Sequence, residues 1–170
     1  MTSAKVLDKL SEVWYNASMD FSKDLNLIHL ITKSNLKECF DLVVSGLSRA
    51  LDKTSLGNNW SLEALYEGLD NLDVYAFHLS DSQYSGVFSI NHSPKGKTLY
   101  FFWSGKDVNN TTPVNYEVVD TLLLESAKHF GASEIICEGR KGWKPILLPL
   151  GYSEDSVNYI KEVKYELPPI

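Results

Sequence analysis

The segment of this chain best equipped for chemistry is Glu138-Gly139-Arg140-Lys141-Gly142-Trp143, a carboxylate followed by glycines and cations. Glu138 closes a short apolar run at 134–137, so it stands where a strand gives way to a turn. A carboxylate placed there can act as a general base toward an amine. The same residue, paired with Arg140, equally makes a local ion pair that braces the turn before Trp143. His78 and His92 add imidazoles, but both sit in strand or turn patterns, where histidines are usually surface or satisfied core groups. Cys137 has no histidine and orienting acid beside it in sequence, so a small buried hydrophobe describes it better than a nucleophile does. Cys39 lies in a helical pattern, neither cysteine has metal-ligand spacing, and no disulfide is expected.

A second segment with chemical potential is Gly105-Lys106-Asp107-Val108-Asn109-Asn110-Thr111-Thr112-Pro113. Lys106 can meet an anion as a point charge, and Thr111 and Thr112 can donate hydroxyls to it. Asp107 repels phosphate, and Pro113 has no amide to offer. Ordinary loop and capping chemistry therefore competes with anion binding here. Phe101, Phe102, Trp103 and Trp143 are large aromatics close to both segments, suited to core packing, to filling a cleft or to anchoring a partner.

Several function classes are excluded by composition. The chain has 170 residues, 44% of them hydrophobic and 12% aromatic, which suits one globular domain. Its net charge is −6 with both signs mixed and no basic run, which argues against a nucleic-acid partner. There is no apolar stretch long enough for a membrane span and no secretory signal pattern at the start, so a reducing, intracellular setting is expected.

These residues need elements to position them. Residues 4–21 carry Val6, Leu7, Leu10, Val13, Trp14, Ala17 and Phe21 at helical spacing. This predicts an amphipathic helix, taken as an appendage over 1–25 before a domain at 26–170. Trp14 and Tyr15 on it are candidate partner contacts. Residues 27–31 suit a strand, and Ser34 is placed to cap a helix bearing Leu36, Phe40, Val43, Val44, Leu47 and Leu51. Ser61 caps another with Leu62, Leu65, Tyr66 and Leu69 inward. A hairpin is predicted over 74–79 and 86–90, then an aromatic strand over 98–103. Thr112 as cap and Pro113 at the first position predict a helix that Gly131 stops. Residues 134–137 read as a buried strand, 143–150 as about two helical turns ended by Gly151, and the alternation over 156–167 as a final solvent-sided strand.

The order after the first helix, β-α-α-β-β-β-α-β-α-β, resembles the GNAT acyltransferase fold, an α/β (α+β) architecture with a mixed, mostly antiparallel central sheet and helices on both faces. Trp60-Ser61-Leu62-Glu63, the strand ending Trp103-Ser104-Gly105, and the Glu138 to Trp143 string with Gly151-Tyr152 look like a GNAT-like family encoded by bacteriophages, similar to the internal virion protein A type of short-tailed phages. The resemblance covers roughly 27–166. It implies that acetyl-CoA, where bound, lies between the fourth and fifth strands with its diphosphate on the next helix's N-terminus. Phe102, Trp103, Gly105, Lys106, Thr111 and Thr112 are then the cofactor candidates and Glu138 the catalytic one. The superfamily's glycine-rich phosphate loop is missing from 105–113, and anchoring on Gly151-Tyr152 puts Leu147 in the slot of the tyrosine acid and Arg140 in that of its companion asparagine.

Two functions follow as expectations. The favoured one is a non-catalytic virion or infection-stage protein, in the virion or host cytoplasm, without cofactor. It would bind other virion or host proteins through Trp14 and Trp143, and a second copy of itself through the N-terminal helix. The alternative is an acetyl-CoA-dependent N-acetyltransferase in which Glu138 activates an amine.

Overall fold

The computed structural model describes residues 28–139 and 141–165. The predicted N-terminal helix with Trp14, and likewise Arg140, lies outside the described residues. Strands β1 (Ile28–Ile31), β2 (Tyr75–Leu79), β3 (Tyr84–Ser93), β4 (Gly96–Lys106) and β5 (Glu134–Cys137) form one sheet in the order β1-β2-β3-β4-β5. The first three pairings are antiparallel, joined by short connections. The β4–β5 pair is parallel, because a helix must carry the chain back before β5 begins.

Helices α1 (Leu36–Cys39), α2 (Asp41–Lys53) and α3 (Leu62–Asp70) cover one face of the sheet, and α4 (Tyr116–Phe130) covers the other. Two cores result. One joins Leu65, Val74, Ala76, Val87 and Trp103 to Val43 and Leu47 of α2. The other joins Phe77, Tyr84, Phe88, Leu99 and Phe101 to Val118, Leu122 and Leu123 of α4. A central strand with both faces covered has no polar side, which is why β2 is buried at every position.

The predicted helix starts hold in one case and fail in two. Ser61 caps α3, its hydroxyl accepting from the Ala64 amide at 3.1 Å. Ser34 does not cap α1; Asn35 precedes the helix and its Oδ1 accepts from the Thr32 amide at 2.7 Å, closing the turn instead. Phe40 then separates α1 from α2. Nor do Thr112 and Pro113 open α4. Asn115 caps it, accepting from the Val118 amide at 3.3 Å, and the helix begins at Tyr116. It ends as expected at Gly131, whose φ of 74° is a left-handed cap.

The final strand is the largest correction. Residues 152–165 adopt no regular secondary structure, and Val157, Tyr159, Ile160, Val163 and Tyr165 are all strongly exposed. Alternation made a strand possible; among the described residues no neighbouring strand takes it up.

One local irregularity decides how the sheet presents its aromatics. Val87 pairs with Trp103 and Phe88 with Phe101, so Phe102 is an extra residue in β4 opposite none in β3, a β-bulge. Before it, odd positions Leu99 and Phe101 face α4; after it, Trp103 faces α2 and α3. Tyr100 and Phe102 share the α2 and α3 side, stacked with centroids 5.4 Å apart.

Candidate functional site

The parting of β4 from β5 builds the site. Their pairing runs from Thr98–Glu134 to Phe101–Cys137, and the Glu138 amide donates to the Phe101 carbonyl at 3.0 Å. Beyond that point β4 continues to Lys106 while the chain after β5 turns away. The wedge so formed opens differently on the two faces.

On the α4 face the wedge is filled. Trp143 stands edge-on to Phe101 and to Tyr116, at centroid distances of 6.1 and 5.7 Å. Gly139 lets the indole lie against the backbone, since a Cβ there would come within 2.7 Å of it. Tyr152 closes the far side by donating to Asp120 Oδ1 at 2.8 Å. What remains is a cavity of about 10 Å³ among Phe101, Tyr116, Cys137, Trp143, Leu147 and Tyr152, room for about one water. Burial pushes the Cys137 thiol up to about 11, so it is protonated at neutral pH and no nucleophile. Burial also raises the Tyr116 and Tyr152 phenols, for Tyr152 with a further push from Cys137 and Asp120.

On the opposite face the same parting opens a groove of about 740 Å³. Tyr100 and Phe102 line it from β4, Trp60 from the turn before α3, and Asp73, Lys53 and Glu138 bring charge to it. Trp60 lies 5.4 Å from the Phe102 ring, so three aromatics form a continuous wall. Such a wall with two carboxylates at hand suits a flat or cationic ligand. Glu138 is exposed, and its Oε1 accepts from Asn158 Nδ2 at 2.8 Å.

The loop between β4 and α4 spends its donors on itself. The Asn109 amide donates to Asp107 Oδ1 at 2.9 Å, the Asn110 amide to the Asp107 carbonyl at 3.1 Å, and the Thr112 amide to Asn110 Oδ1 at 2.9 Å. The Asp107 amide itself goes to Gln83 O, and Ser45 donates to Asp107 Oδ2 at 3.3 Å. Lys106 Nζ donates to the Thr112 carbonyl. A diphosphate entering here would meet a carboxylate at the centre of the loop and would have to displace these bonds. The residues present do not fit that group.

Of the expected cofactor residues, Phe102 lines the groove while Lys106, Thr111 and Thr112 lie in the self-bonded loop. Trp103 is in neither place. It is 1% exposed, with its indole Nε1 donating to Leu47 O at 3.0 Å, so it is a core residue beneath α2. Gly105 likewise packs on α2. Leu147, in the tyrosine slot, lines the small α4-side cavity. His78 is buried with Nδ1 2.7 Å from Ser85 Oγ, and His92 lies exposed opposite Lys97 near the β3–β4 turn. The ion pair expected between Glu138 and Arg140 lies partly outside the described residues; Asn158 is the partner seen at Glu138. Sequence reasoning missed Tyr100 and Asp73. The run of aromatics over 100–103 was the available signal for the wall, though not for which of its members face the groove.

No protein-family model and no curated protein sequence matches this chain. Solved structures do match it in shape. An aminoglycoside acetyltransferase from an uncultured soil metagenomic sample, in complex with sisomicin, is 15% identical with a TM-score of 0.53, covering 81% of this chain and 95% of its own. The fold is that of the GNAT acetyltransferases. A ribosomal-protein-alanine N-acetyltransferase from Brucella melitensis biovar Abortus 2308 is 12% identical with a TM-score of 0.56, covering 80% and 99%. Glucosamine-6-phosphate N-acetyltransferase from Arabidopsis thaliana is 16% identical, also at 0.56, covering 81% and 97%. At these identities the likeness concerns the GNAT fold alone. Among the described residues no cluster of three metal-ligating side chains occurs, and no helix is long and apolar enough to cross a membrane.

Proposed function

We propose that this protein uses the GNAT fold as a binding scaffold and does not transfer acyl groups. The observation that carries the reading is the loop after β4, where Asp107 and Asn110 accept the amides that a diphosphate would need. Leu147 in the slot of a tyrosine acid and the Trp143 plug on the α4 face support it. The aromatic groove at Trp60, Tyr100 and Phe102 is then the binding surface. On the resemblance of the Glu138 to Trp143 string to bacteriophage proteins, the proposed partner is another virion or host protein and the proposed location the virion or host cytoplasm.

A second reading, an acetyl-CoA-dependent N-acetyltransferase, is favoured by one feature. The groove and Glu138 meet where β4 and β5 part, which would put a carboxylate beside an amine bound against Phe102. Glu138 would then be the general base and Lys106 the cofactor's cation.

Thermal denaturation in millimolar acetyl-CoA separates the two, because a ligand that binds only the folded state raises its melting temperature. The scaffold reading expects no shift. A rise of several degrees that Lys106→Ala abolishes would replace it with the transferase reading.

A further inference from the structure

His29 of β1 and His78 of β2 stand directly opposite one another in their antiparallel pair. Facing residues on neighbouring strands project to the same side of the sheet, with Cβ atoms about 5 Å apart. That side is the one covered by α2 and α3, because Ala76, two residues before His78 in the same strand, belongs to their core. The two imidazole centroids lie 6.2 Å apart. An ion held at about 2.1 Å by one nitrogen of each ring needs centroids about 5 to 6.5 Å apart, depending on the angle at the ion. The pair is already spaced to share one.

The rings differ, and each supplies something such a site needs. His78 is 1% exposed, its Nδ1 lies 2.7 Å from Ser85 Oγ on β3, and its Nε2 is buried with no hydrogen-bond partner. A buried ring nitrogen left unpaired is costly. Metal-binding histidines commonly spend one nitrogen on an orienting bond and keep the other for the ion. In the tautomer that donates Nδ1–H to Ser85, Nε2 carries the lone pair. His29 is exposed, so it opens the pair to solvent. Gln83 brings its side-chain amide to the His78 ring, and its own Nε2 already donates to the Ser80 carbonyl at 2.7 Å, which leaves the amide oxygen as a further donor. None of these residues lines the aromatic groove.

We propose that His29 and His78 bind a divalent transition-metal ion of the Zn²⁺ type, through His78 Nε2 and the exposed imidazole of His29, with oxygen from Gln83 and water completing the shell. Imidazole suits Zn²⁺, Cu²⁺ and Ni²⁺, whereas Mg²⁺ and Ca²⁺ seek oxygen. The ion ties edge strand β1 to β2 from the side chains as well as the backbone, and it satisfies the one ring nitrogen that the packing leaves without a partner. The site is separate from the groove and holds whether or not the protein transfers acyl groups.

Titration calorimetry of the reduced full chain with zinc chloride near neutral pH tests this, read beside thermal melts and the ring-proton resonances of the histidines. One ion per chain is expected, with a melting temperature that rises in zinc chloride and not in magnesium chloride. The ring signals of His29 and His78 should move. His29→Ala, at an exposed position that leaves the fold intact, should weaken binding at least tenfold and remove the rise. His92 and His129 are the chain's other two histidines, and replacing both by alanine should leave the titration unchanged. Absence of binding at millimolar zinc chloride overturns the proposal. So does binding that survives His29→Ala, or binding that moves the signals of His92 or His129 in place of those of His29 and His78.

Discussion

Gly46 of α2 and Gly105 of β4 meet backbone to backbone: a Cβ on Gly105 would stand 1.9 Å from the Gly46 carbonyl oxygen, and one on Gly46 would stand 2.5 Å from that of Gly105. Both obstacles are main-chain atoms, so no rotamer change can relieve them. Gly105→Ala must push α2 off the sheet and disturb the Leu47 carbonyl that receives Trp103. A cost of about 3 kcal/mol is expected, at the upper end for an overpacked core. For a chain of this size that lowers the melting temperature by roughly 10 °C. A change below about 2 °C in a thermal melt would show the contact to be slack.

Trp143 joins the segment after β5 to the α4-side core by its edge contacts with Phe101 and Tyr116. Being half-buried, it is expected to lose about 2 kcal/mol on truncation to alanine, less than a fully buried tryptophan. Urea unfolding followed by circular dichroism measures this. Trp143→Phe, which keeps an edge for both neighbours, should recover at least half of the loss.

Stability should fall on mild acidification because of His78. Its folded-state pKa is lowered, first by burial and then by nearby His29, against a raising contact with Gln83. The unfolded chain, with an imidazole near the ordinary 6.5, therefore takes up the proton first as pH drops. The contribution of neutral His78 is intact above that value and declines below it, down to the folded-state pKa. Melting temperatures between pH 7.5 and 5 should trace this decline, and His78→Gln should flatten it by removing the titrating group.

Cys137 is expected to resist thiol reagents. With its pKa held at about 11, only about one molecule in a thousand carries a thiolate at pH 8. Reaction with a disulfide reagent should be slow in the folded protein and at least a hundredfold faster in guanidinium. Tyr152→Phe tests the cause: if that phenol's contact with the thiol matters more than burial, the folded-state rate will change by more than a few fold.

Much of the architecture was legible in the residues. Gly131 and Ser61 announce helix ends through local chemistry, which is why those boundaries coincide with prediction. Thr112-Pro113 misled because proline fixes its own φ equally well in the loop before a helix as in its first turn; the Asn115 side chain, two residues on, takes the cap. Trp103 could not be placed from the strand alone. Residues 99–103 are apolar throughout, so they carry no alternation to assign faces, and the bulge at Phe102 that turns Trp103 inward depends on its pairing with β3. The alternation of 156–165 likewise records a capacity for pairing and leaves the partner open. At the site, Glu138 lay where its position after β5 indicated, whereas Asp73 reaches the groove only through tertiary packing.

The extra residue in β4 also decides what a one-residue deletion would do. With Phe102 removed, Trp103 would follow Phe101 directly, keep Val87 as its partner and stay on the α2 side, and Ser104 to Lys106 would keep their faces. The two layers would remain in phase, and the groove alone would be shortened by one ring.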